Sequence, residues 1–169
     1  RAQRKRLIAA AAPDLAEFIR VLCLLPLRPG AVAALTVADY DRRLKTLTIR
    51  VDKAGAGRKF KLPPAAARLF TTASKDKLPG AHLFTRADGA PWNKDNWKLP
   101  MRAAMSDAGL PDKATAYSLR HSTITDLVTA GTDLATVAAI AGTSVLMIQR
   151  NYHHLQQDVA ANALANLAL

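Results

Sequence analysis

Arg28, Lys53, Arg120 and Tyr152 are residues whose types and settings suit phosphodiester chemistry. Breaking a strand by transesterification passes through a pentacoordinate phosphorus with extra negative charge, so donors fixed around its nonbridging oxygens stabilise it most. A guanidinium is planar, stays charged and grips two phosphate oxygens at once, which a lysine cannot do. Arg28 and Arg120 are the candidates for such a clamp. A phenol is a poor nucleophile at its usual pKa of about 10. Positive neighbours favour the phenolate, however, and a phosphotyrosine ester keeps the bond energy available for resealing. Tyr152 fits that role. The departing 5′-oxygen is too basic to leave unassisted, and Lys53, on an expected hairpin, is placed to deliver its proton.

Several elements must position these side chains. Pro13 followed by LAEFIRVLCLL predicts a buried helix ending near Pro26, and AVAALTVADY a short second helix. The run LKTLTIRVDKAGAGRKFKLP alternates, is broken by AGAG and ends at two prolines, which predicts a β-hairpin. Pro63 and Pro64 start a helix over AAARLFTTA, and GAHLFTRADGAPWN reads as loop with at most a short strand. Asn93 is expected to cap a helix through KDNWKLPMRAAMSDAG, kinked or split at Pro100 and stopped by Gly109. From Thr115 onward four helical segments are expected, separated at Gly131, Gly142 and a polar break near Gln156. The fold class is mainly α with one small antiparallel sheet. Trp92 and Trp97 read as core or lid residues, and His153 and His154 as solvent residues at a helix end.

The 169 residues, half of them apolar, are enough for one core and predict a single domain over 1–169. A net charge of +11 points to a polyanionic partner. Residues 1–61 hold 14 basic and 5 acidic side chains, whereas 114–169 hold 2 and 3, so Arg120 and Arg150 need explanations other than generic charge. Cys23 is alone in the apolar run VLCLLPL, which leaves it without an internal disulfide partner and places it in the core. The start RAQRKRLIAAAAP resembles a signal peptide only superficially, since its apolar part is short and runs into Pro13 and Asp14. No apolar run approaches the roughly 20 residues that span a bilayer. The missing initiator Met suggests an excised domain, and the cluster from Arg1 to Arg6 reads as a frayed linker remnant that would add affinity if near DNA.

These motifs resemble the C-terminal catalytic domain of the tyrosine recombinases, or phage integrases, over essentially the whole chain. LRPGAVAALTVADYD resembles the segment with the family's first catalytic arginine, here Arg28, with Ala31 where a glutamate is usual. VDKAGAGRKFKLP resembles the lysine-bearing β-turn and makes Lys53 the candidate. YSLRHS and AGTSVLMIQRNYHHL carry the most specific likeness: Thr143 follows Arg120 by 23 residues and Tyr152 follows Thr143 by nine. Tyr117 stands where histidine or lysine is usual and Thr143 where histidine or tryptophan is usual, which implies slower chemistry. Both keep a hydroxyl donor, but a phenol shuttles protons poorly near neutral pH.

The resemblance implies a site-specific recombinase that cuts one DNA strand through a 3′-phosphotyrosine and rejoins it to another. It implies no cofactor and no metal, the pair of carboxylates in ADYD being a weak magnesium candidate at best. Duplex DNA is the expected partner, held in addition by Arg42, Arg43, Arg58, Lys59, Lys61 and His121. His121 neighbours Arg120 and is expected to compensate in part for the altered positions, although consecutive helical positions point about 100° apart. An N-terminal core-binding domain, absent from this chain, completes a clamp in the family. The chain is expected to form a homo-oligomer (a tetramer) on DNA, to be monomeric when isolated, and to act in the cytoplasm on the nucleoid rather than at a membrane. The nearly uncharged tail VAANALANLAL then docks on a neighbour, or else folds back on its own core.

Three other readings share these features. A DNA-binding module without catalysis, either a degenerate relative or a helix-turn-helix protein, fits the two helices of SLRHSTITDLVTAGTDLATVAAIAG, though LATVAAIAG looks buried. A type IB topoisomerase uses the same chemistry without exchanging partners. A basic scaffold for RNA or acidic proteins remains the third.

Overall fold

The computed structural model describes residues 2–50, 57–165 and 167, with the backbone alone at 153, 154, 156–158, 162 and 163. Helix α1 covers Ala2–Ala10. This corrects the expectation of a frayed linker there. Leu7 is wholly buried, and Arg4 pairs through Nη1 with Asp126 Oδ2 at 2.7 Å and through Nη2 with the Ser122 hydroxyl. Helix α2, Pro13–Leu24, has proline at its first position and Asp14 in its first turn, where the exposed N–H groups and the helix dipole favour both. It buries Leu15, Phe18, Ile19, Val21 and Leu22 and ends as expected before Pro26.

The helix expected over 31–40 is shorter and earlier. Helix α3 runs Pro29–Ala34, then a 3-10 turn covers Val37–Asp39 and strand β1 covers Tyr40–Asp41. Asp39 ends the helical pattern: its Oδ2 accepts from the Thr36 N–H and hydroxyl at 2.8 and 2.9 Å, and its Oδ1 from Arg50 Nε at 2.6 Å. Burial raises its carboxyl pKa, but the Thr36 bonds and then Arg50 outweigh burial and hold it below the usual value. A carboxylate held low adds stability that is present above the unfolded-state value of about 3.9 and is lost as pH falls through the lower folded value. Asp39→Asn is therefore expected to flatten the acid limb of a denaturation-versus-pH curve, and an unchanged limb would contradict the assignment. The other carboxylate of the pair, Asp41, accepts at Oδ1 from the Arg43 and Leu44 N–H groups. Both are thus engaged in local turns.

The expected hairpin is present as β2, Thr46–Ile49, and β3, Arg58–Lys61. With β1 it makes a three-stranded antiparallel sheet in the order β1-β2-β3. Thr46 faces Lys61 at one end and Ile49 faces Arg58 at the other. Helix α4, Pro64–Ala73, begins at the double proline and packs under the sheet, where Tyr40 donates its hydroxyl proton to Ala67 O at 3.0 Å. The loop that follows holds only isolated bridges, Thr36 with His82 and Thr85 with Pro91.

Helix α5 spans Lys98–Asp107, later than expected. Asn93 does not cap it; Asn93 Oδ1 accepts from the Asp95 and Asn96 N–H groups and closes a preceding turn. Pro100 consequently falls in the first turn, where its missing N–H costs nothing, so no kink arises. Gly109, at φ +63°, provides the left-handed stop.

Helices α6, Ala116–Thr129, and α7, Leu134–Ala141, follow as expected. The break near Gln156 does not occur: α8 is continuous over Val145–Ala165, because glutamine is a good helix former and no glycine or proline interrupts it. One core joins α1–α6 and the sheet, with Phe18 against Trp92 and Trp97 at centroid separations of 5.7 and 5.6 Å. A second, smaller core of Ile124, Val128, Val137, Ala141, Ile148 and Tyr152 joins α6, α7 and α8. Cys23 packs against the main core, and burial pushes its thiol up to about 11, well away from nucleophilic thiolate. No described helix is long and apolar enough to cross a membrane.

Candidate active site

Arg120 organises the site. Helix α6 starts with a capping box between Thr115 and Ser118, which fixes its rotation so that Leu119, Arg120, Thr123, Ile124 and Val128 face inward. Arg120 is 7% exposed, and its Nη1 donates to Pro26 O at 2.5 Å and to Ala141 O at 2.7 Å. One guanidinium therefore ties together the segment just before Arg28 and the segment just before Thr143. These lie far apart in sequence, and their union with Arg120 is what the spacing alone left undemonstrated.

Arg28 is half-buried at the N-cap of α3, with extended backbone, and α3 packs against α6. Pro29 at the first helical position forces the turn on which Arg28 stands. Gly142 ends α7 in the left-handed region at φ +66°, which lets the Thr143 N–H bond back to Ala138 O at 3.0 Å and holds Thr143, half-buried, at the entrance to α8. Arg58 reaches the same region from the sheet, its Nε donating to Ile140 O at 3.0 Å.

Tyr152 is 6% exposed, its ring in the second core one turn after Ile148. Its hydroxyl is 2.5 Å from His121 Nδ1. The sequence reading placed His121 with the DNA contacts; its side chain also meets Tyr152, because α8 crosses α6 beside it. Burial raises the Tyr152 phenol above its ordinary pKa, and the Arg120 charge pulls it part of the way back. The phenol is thus protonated at neutral pH, with His121 Nδ1 at hydrogen-bond distance.

Tyr117, in the first turn of α6, is 48% exposed and lines a cleft of about 890 Å³. Trp92 and Trp97 back this cleft, His82 and Gly30 stand across it, and Lys94 and Lys98 are on its rim. His82 Nδ1 lies 3.1 Å from Ala33 O, and only a protonated nitrogen can bond a carbonyl, so His82 is fixed with Nδ1–H donating. The two lysines were missed in the sequence; the turn made by Asn93 just ahead of α5 was the signal that would have placed them at the surface.

The remaining candidates divide. Arg42, Arg43 and Lys61 are exposed at the Thr46 end of the sheet, while Arg58 is at the opposite end beside α7, and Lys59 is exposed between them. Lys53 lies outside the described residues, as do the side chains of His153 and His154. Leu164 near the end of α8 and Leu167 beyond it are 66% and 73% exposed.

Comparison with known proteins bears on the same elements. The phage integrase family profile matches residues 2–158. The tyrosine recombinase XerC of Brucella suis biovar 1 is 31% identical over 123 residues, covering 69% of this chain and 37% of that relative. The chain thus spans well under half of that protein. The Tn1549 transposon integrase, solved in complex with transposon right end DNA, superposes with a TM-score of 0.80 at 19% identity over 99% of this chain and 65% of the other. The catalytic domain of bacteriophage HP1 integrase superposes with a TM-score of 0.66 at 22% identity, over 99% and 95%. The helical fold with a three-stranded sheet is the fold of these catalytic domains.

Proposed function

Because the chain belongs to the phage integrase family of tyrosine recombinases, we propose that it is the catalytic domain of a site-specific recombinase that cleaves and rejoins DNA through a 3′-phosphotyrosine. The observation that carries this reading is the 2.5 Å contact of Tyr152 with His121, beside an Arg120 that also holds the Arg28 and Thr143 segments. Arg28 and Arg120 grip the nonbridging oxygens of the scissile phosphate. Tyr152 attacks phosphorus, its proton passing to His121 Nδ1 in the tautomer protonated at Nε2. The 5′-oxygen leaves with a proton from Lys53, and Tyr117 and Thr143 donate hydroxyl hydrogen bonds to the phosphate. The cleft beside Tyr117, with Lys94 and Lys98, takes the flanking duplex, and Arg42, Arg43, Arg58, Lys59 and Lys61 add backbone contacts. By the same reading, a core-binding domain closes around the DNA, the exposed end of α8 docks on a second copy, a tetramer assembles on the site, and the protein works on the nucleoid.

A nicked suicide duplex that traps the cleaved state tests this. A denaturant-resistant adduct joined to the 3′-phosphate side is expected, and a saturated complex without adduct would leave only the DNA-binding reading. The role of His121 has its own signature. His121→Ala is expected to slow adduct formation about 10²-fold at pH 7, with the loss narrowing as pH rises toward the ionisation of the phenol itself. A loss that is equal at every pH would make His121 a positioning residue.

A further inference from the structure

Away from Arg120, a second concave surface lies between the base of the β2–β3 hairpin and α4, with a volume of about 750 Å³. Lys45, Lys61 and Arg68 stand around it, and Leu62, Pro64 and Ala67 line it. No carboxylate lines the groove. Asp41, the acid in the turn before Lys45, already accepts the Arg43 and Leu44 N–H groups. The N-terminus of the ten-residue helix α4 opens here at Pro64 and adds its partial positive charge to the three cations. Lys61 is three residues along β3 from Arg58, or roughly 10 Å at the rise of a strand, so this surface is separate from the Tyr152 site.

The groove has three kinds of recognition group. The cations call for anions, and the apolar wall calls for apolar side chains. The third is an acceptor. Tyr40 gives its proton to Ala67 O, since a carbonyl can only accept; the 2.9 Å contact between Tyr40 and Thr71 is therefore donated by Thr71. Thr71, which lines the groove, is left with lone pairs only. A DNA backbone offers neither N–H donors nor apolar side chains, whereas a peptide offers both. The volume falls within the range of about 300–1,000 Å³ typical of ligand pockets.

We propose that this groove docks an acidic peptide segment of a partner protein. Its carboxylates meet Lys45 and Arg68, leaving Lys61 to the DNA backbone, while an apolar side chain lies against Leu62, Pro64 and Ala67 and a backbone N–H reaches Thr71.

The test uses a fluorescein-labelled heptapeptide, Glu-Glu-Leu-Phe-Glu-Asp-Leu, followed by fluorescence anisotropy on the intact chain. Saturable binding is expected, weakened at least tenfold in the double variant Lys45→Glu/Arg68→Glu and unchanged within twofold in Tyr152→Phe. A duplex oligonucleotide is expected not to displace the peptide, and the double variant is expected to form adduct on the nicked duplex within twofold of the parent. Both substituted residues are at the surface rim, and a thermal midpoint equal to that of the parent confirms that the variant folds; should it not, Arg68→Ala alone gives the same comparison. Equal binding of an all-glutamate peptide of the same length would reduce the site to bulk charge and overturn the proposal. So would displacement by duplex DNA, or a parallel loss of duplex affinity in the variant, either of which would make the groove a DNA contact. Failure of the adduct assay in the parent chain would strike the recombinase reading and leave the peptide measurement standing.

Discussion

Tyr152→Phe is expected to reduce adduct formation on a nicked duplex by at least about 10⁴-fold, because no other group restores the oxygen that forms the ester. The same change is expected to leave folding nearly intact. The ring remains in the α6–α8 core with Ile148 and Val137, and only the hydroxyl bond to His121 is lost, a net cost of about 1 kcal/mol. Duplex affinity is expected to stay within twofold. Adduct persisting at more than a few per cent of the parent rate would remove Tyr152 from the role of nucleophile.

Arg120→Ala is expected to do two things at once. Its guanidinium is buried and carries positive charge toward the Tyr152 phenol, so under the proposed mechanism its loss removes a transition-state donor, and a fall in cleavage of about 10³-fold is expected. Two backbone carbonyls, Pro26 O and Ala141 O, also lose their shared donor. Leaving buried acceptors unmet costs about 1–3 kcal/mol each, which for a chain of this length lowers Tm by roughly 10 °C. Arg120→Lys is expected to recover part of the stability and little of the rate, since an ammonium cannot reach both carbonyls and a phosphate in a fork. A variant that cleaves at the parent rate would contradict the clamp, and a variant of unchanged Tm would contradict the structural tie.

These two variants separate what was legible in the sequence from what was not. The helix from Pro13, the hairpin around 46–61, the start of α4 at the double proline and the stops at Gly109 and Gly142 were legible because proline and glycine act locally. The misplacements came where side chains overrode the local pattern. Asp39, bonded to Thr36 and Arg50, cuts short the helical run through 31–40 and starts β1. Asn93 closes a turn of its own and delays α5 until Pro100 is harmless. At the amino end, Leu7 and Arg4 dock a segment that looked like free charge, and only a tertiary contact reveals that.

The candidate site shows the same division. The spacing of Arg120, Thr143 and Tyr152 was readable. That Arg120 holds the Pro26 and Ala141 carbonyls was not readable, because it depends on how α3, α6 and α7 meet. Nor was the pairing of His121 with Tyr152: neighbouring helical positions point in different directions, and only the crossing of α8 over α6 brings the phenol to the imidazole rather than to the solvent.

Tyr117 and Tyr152 make the decisive comparison, since one phenol is exposed on the cleft and the other is buried beside Arg120. Adduct formed on the nicked duplex is digested with nuclease and trypsin, and the nucleotide-bearing peptide is sequenced by mass spectrometry. The nucleotide is predicted on Tyr152; finding it on Tyr117 or any other residue would contradict the account.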